Sequence, residues 1–243
     1  MSYTISEFSK RCGVPPTTLR AWQCRYGLLK PMRTEGGHRI YNEDDIKQAF
    51  MILEWIKKGV PVSQIRPLLA GSTTAVTNNW IETQELMMQK LKSGKFDSLR
   101  RYIFDCGREY PHQELVDEVL RPLRHRLPPS VPVMRMLREI FDGQIIAYTS
   151  YCMESDKKAP GENYVVAGWH VNDLTEIWME VLTRTGQGMR IDILPFETSK
   201  LIPEIFPDHN WLIVTSSKLT VVRKKQIAGW KKLIRSFEVI MVG

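Results

Sequence analysis

Apolar residues along this chain follow two different periods. Through about residue 155 they recur at helical spacing, and beyond it they gather into short continuous runs separated by helical stretches. At the start, Phe8 and Cys12 lie four apart on a predicted helix over Ser6–Cys12. Thr4 is placed to cap it, with Glu7 three residues on as in a capping box. Gly13 supplies a sharp bend, and a second helix begins after Pro15-Pro16, with Leu19, Trp22 and Tyr26 along one side. Those five apolar residues are expected in the core, although the Trp22 indole N–H could instead reach a phosphate. Two short extended runs follow, joined at Gly36-Gly37, whose positive φ values would suit a two-residue hairpin turn. Asn42 starts a third helix over Glu43–Lys58, stopped by Gly59, and a fourth short helix ends near Leu69.

Four more amphipathic helices are predicted over Trp80–Leu91, Phe96–Cys106 (closed by Gly107), Gln113–Leu127 and Val133–Met153. Their short connections imply an antiparallel bundle. The runs Tyr164–Gly168, Arg190–Leu194, Trp211–Thr215 and Glu238–Val242 read as strands, alternating with helices over Asp173–Thr185, Leu201–Phe206 and Val221–Phe237. Near-continuous apolar strands alternating with helices point to a parallel sheet covered on both faces. The expected fold is a mainly α winged helix-turn-helix, then a helical bundle, then a small α/β parallel-sheet (Rossmann- or flavodoxin-like) domain. The corresponding boundaries are 1–71, 76–155 and 156–243. In such sheets ligands meet the carboxyl ends of the strands, here the loops Trp169–Asn172, Pro195–Ser199 and Ser216–Thr220.

Composition is that of an ordinary globular protein, with 43% hydrophobic and 25% charged residues. No apolar run is long enough to span a membrane, and the polar start MSYTISEFSK reads as neither signal peptide nor anchor. Four scattered cysteines without a C-x-x-C pair fit a reducing cytoplasm and not a disulfide framework. Charge is uneven: of the net +7, residues 1–70 carry +5. That is where phosphate neutralisation would be useful.

Residues 14–41 combine these signals. A helix start carrying Thr17, Thr18, Arg20 and Arg25 precedes a basic hairpin carrying Arg33, His38, Arg39 and Tyr41. Hydroxyls and guanidinium groups near a helix start, followed by a basic wing, predict binding to double-stranded DNA. Enzyme chemistry finds no foothold. Gly186-Gln187-Gly188 precedes a strand instead of opening a helix, and no G-x-S-x-G elbow occurs.

The stretch VPPTTLRAWQCRYGLLKPMRTEGGHRIYNEDDI resembles the DNA-binding domain of the MerR family. SGKFDSLR, GREYP, AGWHVNDLTEIWMEVL, RIDILP and PEIFP are similar to landmarks of that family's enterobacterial biofilm regulators. The resemblance implies that Thr17, Thr18 and Arg20 meet the major groove and its phosphates, and that Arg33, His38, Arg39 and Tyr41 form the gripping wing. Arg25 is matched too, although a carboxylate could hold it for structural purposes; Ala21 replaces an aromatic common in the family. A homodimer on an inverted repeat is implied, acting by DNA distortion alongside RNA polymerase at a biofilm or curli regulatory gene. A protein that turns over cyclic-di-GMP is the implied signalling partner. Trp169, His170 and Trp230 are the candidate partner surface, while Trp178 is expected in the core.

The helical bundle and α/β unit also resemble the family's cobalamin-dependent light sensors, but the residues oppose a cofactor. The corrinoid pattern is E/D-x-H-x-x-G. The residues two before the five histidines are Gly36, Tyr110, Leu123, Gly168 and Pro207, none acidic, and none of the five has glycine three later. The light sensors' Trp, nine residues, Glu-His over the cofactor is also missing, since Trp80 is followed there by Lys90-Leu91. Metal sensing by cysteines is disfavoured because Cys12 and Cys24 fall in the helix-turn-helix and Cys106 and Cys152 in the bundle, where buried thiols act as small apolar groups. No cofactor and no metal are therefore expected.

Overall fold

A computed structural model describes residues 2–71, 79–196, 200–216 and 218–242. The chain forms two compact units, residues 1–148 and 149–243.

In the first unit, helices α1 (Ile5–Cys12) and α2 (Pro16–Cys24) form the helix-turn-helix. Thr4 and Glu7 make the reciprocal capping box, and Gly13 takes the left-handed conformation (φ 68°) that closes α1. The wing pairs β1 (Met32–Arg33) with β2 (Arg39–Ile40), Arg33 opposite Arg39. Its turn is longer than the two residues expected: Thr34 N donates to His38 O at 2.9 Å, and only Gly37 of the Gly-Gly pair has positive φ. A capping box between Asn42 and Asp45 starts α3 (Glu43–Lys57), and α4 (Val62–Leu69) follows.

Helix α5 (Asn79–Lys92) packs against α6 (Phe96–Glu109), which continues through Gly107. Glycine there is a matter of space, since a Cβ would stand 1.8 Å from Tyr148 Oη. The helix predicted over Gln113–Leu127 is divided into α7 (His112–Leu115), a π turn (Val116–Leu120) and α8 (Arg121–His125). Pro122 explains the division: it has no N–H for the carbonyl of Glu118 four residues back, and Gln84 Nε2 donates to that carbonyl at 2.7 Å. Helix α9 (Pro132–Asp156) buries Phe141 and Ile145. The helix-turn-helix and these helices are not independent bodies. Trp22 Nε1 donates to Glu109 O at 2.9 Å and Thr18 Oγ1 to Gly107 O at 3.5 Å, joining α2 to the end of α6.

In the second unit, among the described residues, β3 (Glu162–Gly168), β4 (Met189–Leu194), β5 (Asn210–Thr215) and β6 (Ser236–Met241) form a parallel sheet in the order β4-β3-β5-β6. Alternate residues feed two cores. Val165, Ala167, Trp211 and Ile213 face α11 (Val221–Leu233) through Ile227 and Trp230. Val166, Leu212 and Val214 meet Ile177 and Val181 of α10 (Thr175–Arg184). The helix expected over Leu201–Phe206 is only a 3-10 turn, Pro203–Ile205.

Two partner-surface expectations are corrected here. Trp169 and Trp230 are core residues, 4% and 8% exposed, with ring centroids 5.6 Å apart. Trp230 satisfies its indole N–H by donating to Glu204 Oε1 at 2.9 Å. Trp178, expected inside, is only half-buried at the margin of the opposite core. Loop and helix-end positions looked superficial in sequence, but aromatic rings of this size bury readily against a sheet.

Asp156, at the end of α9, accepts from Gly186 N at 2.7 Å, yet burial pushes its carboxyl up to about 6 from the ordinary 3.8. The folded state therefore holds this proton more tightly than the unfolded chain, and the associated stability is lost as pH rises from about 4 through 6. Asp156→Asn is expected to raise stability at pH 7 by about 1–2 kcal/mol, allowing for screening at a partly exposed site. The gain should vanish below about pH 4, where the wild-type carboxyl is protonated in both states. Urea titrations of both proteins across that range would check it, and a gain that persists at low pH would contradict this origin.

Candidate nucleic-acid interface

Spacing on α2 separates its candidate residues onto two faces. Thr17 and Arg20, three apart, are exposed on one. Thr18, Trp22 and Arg25 follow at four and three on another, and this second face meets α6. Thr18 is fully buried, so its hydroxyl has no route to a duplex; this corrects its place among the DNA contacts. Arg25 takes the structural alternative, with Nη1 3.6 Å from Glu109 Oε1. Trp22 likewise spends its indole N–H on a main-chain carbonyl and not on a phosphate.

The wing divides in the same way. Arg33 and His38 are exposed, and Arg33 Nη1 donates to Gly37 O at 3.3 Å, which stiffens the turn. Tyr41 is a core residue: its ring stacks on Phe8 at 4.3 Å with an interplanar angle of 10°, and its backbone bridges to Tyr3. Burial pushes its phenol up, so it stays neutral, and it is withdrawn from the contact set. Arg39 is half-buried because Nε donates to Gln23 Oε1 of α2 at 2.6 Å. That bond ties the wing to α2, and Arg39 Nη2 lies a further 3.9 Å from Cys24 Sγ of the same helix. Gln23 was not singled out in the sequence, although its place three residues after Arg20 was the available signal.

Arg20, Gly37, His38 and Arg39 line one groove of about 260 Å³ with Thr4 and Ile5. The two guanidinium groups there come from separate elements, so the tertiary fold builds the basic surface. No side chain caps the first turn of α2, where Pro16 sits. The N–H groups that follow remain available to an anion such as a phosphate.

The other candidate chemistries fare differently. His170 lies just after β3 with a positive φ of 55°, half-buried beside Trp169. A corrinoid loop would need an acid at the position of Gly168. Glycine offers no carboxylate there, so the residues present do not fit that group. The loop positions 197–199 and 217 lie outside the described residues. Cys12, Cys106 and Cys152 are buried, whereas Cys24 is exposed, contrary to the expectation that all four are buried. Burial pushes the Cys12 thiol up to about 11 and Cys106 to about 12, which disfavours the thiolate a metal needs. Among the described residues no three His, Cys, Asp or Glu side chains are grouped to hold a metal ion. Among them, too, no helix is long and apolar enough to cross a membrane.

Comparison with known proteins matches residues 3–72 to the MerR HTH family regulatory protein, 80–154 to the helical domain of transcriptional regulator MlrA, and 161–234 to the MlrA C-terminal domain. The chain is 40% identical over 230 residues to the HTH-type transcriptional regulator MlrA of Escherichia coli, covering 95% of each chain. It is 39% identical over 229 residues to MlrA of Salmonella typhimurium, covering 94% of each. Likeness to the HTH-type transcriptional repressor CarH of Myxococcus xanthus is limited to 68 residues at 34% identity, 28% of this chain and 23% of that protein. With winged helix-turn-helix, helical segment and parallel α/β unit all matched in order, the chain belongs to the MlrA group of MerR-family transcriptional regulators and is a regulator, not an enzyme.

Proposed function

We propose that the protein reads promoter DNA with Thr17 and Arg20 of α2 in the major groove and Arg33, His38 and Arg39 of the wing on the adjoining backbone. The observation that carries this reading is the groove where Arg20, His38 and Arg39 converge from α2 and the wing. Guanidinium groups suit both phosphate forks and base edges, and an exposed hydroxyl at position 17 suits base or phosphate contact.

One winged domain covers a half-site, so the reading includes a homodimer on an inverted repeat. Hydroxyl-radical footprinting on a fragment chosen from a genome-wide binding map should show two protected half-sites related by a dyad. A single unsymmetrical protected patch bound by a monomer would sink the dimer. Family likeness extends the proposal: a cytoplasmic, nucleoid-associated activator that distorts the promoter for RNA polymerase, with a biofilm or curli regulatory gene as target. The C-terminal unit then answers to a protein partner, a cyclic-di-GMP turnover protein in this reading. Of Trp169, His170 and Trp230, only half-buried His170 lies outside the core.

A further inference from the structure

Between the end of α2 and the helices α5 and α6 lies a half-open cavity of about 500 Å³. Arg25, Thr83, Tyr102, Asp105, Glu109 and Tyr110 line it. Its size falls in the range of small-molecule sites, roughly 300–1,000 Å³. Two carboxylates and one guanidinium are in the lining itself, and Arg108, the partner of Asp105, stands outside it. The pair already present is loose: Arg25 Nη1 and Glu109 Oε1 are 3.6 Å apart, and the Arg25 side chain is 50% exposed. Asp105 pairs with Arg108, its neighbour one turn on, at 3.3 Å. The two tyrosines add rings and hydroxyls without charge, since burial pushes the Tyr102 phenol up to about 12 and raises that of Tyr110 as well. Asn79 Nδ2 donates to Tyr110 Oη at 2.9 Å and fixes that ring's position.

We propose that this cavity binds a small organic cation, an amine on a compact aromatic body, with its ammonium between Asp105 and Glu109 and its ring against the tyrosines. Carboxylates supply charge-assisted hydrogen bonds and neutral phenol rings supply apolar and cation–π contact. Glu109 makes the site consequential. Its carboxylate faces Arg25 and its main-chain carbonyl accepts the Trp22 indole N–H, and both residues belong to the α2 end of the recognition segment. An ammonium at Glu109 competes with Arg25 and loosens that end of α2. The effect on DNA rests on the reading of α2 as the recognition helix; binding of the cation does not.

The test is calorimetric titration of the full chain, without DNA, with tyramine and with its uncharged counterpart 4-hydroxyphenethyl alcohol. Saturable tyramine binding is expected, with the alcohol at least about tenfold weaker. Asp105→Asn and Glu109→Gln should each weaken tyramine by about tenfold or more. The Asp105 side chain is 54% exposed, so that variant should keep the native melting curve even if the Glu109 variant does not fold. No saturable heat at roughly millimolar tyramine, equal binding of amine and alcohol, or an undiminished Asp105→Asn titration would overturn the site. A parallel DNA titration should show tyramine changing DNA affinity by roughly fivefold or more. If tyramine binds and DNA affinity does not move, the coupling to α2 is wrong while the site stands. If Arg20→Ala leaves DNA binding intact, the recognition-helix reading fails separately.

Discussion

Asp142→Ala is expected to destabilise the N-terminal unit by about 3–5 kcal/mol, among the largest effects of any single substitution in it. The Arg124 side chain is 1% exposed and forms a bidentate pair with Asp142, Nε to Oδ1 at 2.7 Å and Nη2 to Oδ2 at 3.0 Å. Arg138 Nη1 adds a bond to the Arg124 carbonyl at 3.3 Å, so one cluster fixes α8 against α9. Removing the carboxylate leaves a guanidinium buried without its counter-charge, and the desolvation penalty then dominates. Removing both charges is a different experiment. Arg124→Met with Asp142→Leu should recover most of the loss, because a well-packed apolar pair avoids the penalty. Urea unfolding of the single and double variants decides the matter: a single-variant loss below about 1 kcal/mol would show that the pair is solvated in practice.

Arg20→Ala and Arg39→Ala are each expected to weaken specific DNA binding by about 1–3 kcal/mol, with native circular dichroism. Arg20 is exposed, so its loss should leave the fold untouched and lower the salt dependence of binding by about one counterion. In the proposed reading Arg39 acts through two routes, direct contact and the 2.6 Å bond to Gln23 that joins the wing to α2. Gln23→Ala should therefore reproduce part of the Arg39 effect without removing a charge. Thr17→Ala is expected to shift sequence preference more than affinity. Thr18→Ala, by contrast, should act on stability, since that hydroxyl is buried toward α6. Fluorescence anisotropy at several salt concentrations separates these outcomes, and unchanged affinity of both arginine variants would dismiss the proposed interface.

Much of the architecture was legible from local chemistry. Thr4 with Glu7, Asn42 and the start at Pro16 mark helix ends through bonds made within one turn, so residue identity is enough to place them. The change of period after residue 155 likewise announces the parallel sheet, because buried strands need apolar residues on both faces. Helix breaks were less legible. Gly107 looked like a stop and is instead a gap filled by Tyr148, a residue 41 positions away in sequence. Pro122 interrupts a helix without ending it, because Gln84 takes the carbonyl it leaves unbonded.

By itself, the sequence determined the winged helix-turn-helix, its basic character and the order of helical and sheet units, all of which depend on spacing and on charges carried by neighbouring residues. Tertiary structure alone decided which polar and aromatic residues face outward. Thr17 and Thr18 are adjacent and chemically identical, yet one is exposed and the other lies under α6. Tyr41, Trp169 and Trp230 are amphipathic, with a ring that gains from burial; the Trp230 N–H finds Glu204 inside, whereas the buried Tyr41 hydroxyl finds no partner among the described residues. Which side wins depends on partners distant in sequence: Phe8 stacks on Tyr41, while Trp169 and Trp230 meet each other beside the sheet. The same holds for the groove and for the cavity at Glu109, since each joins side chains from separate elements and exists only once those elements are packed together.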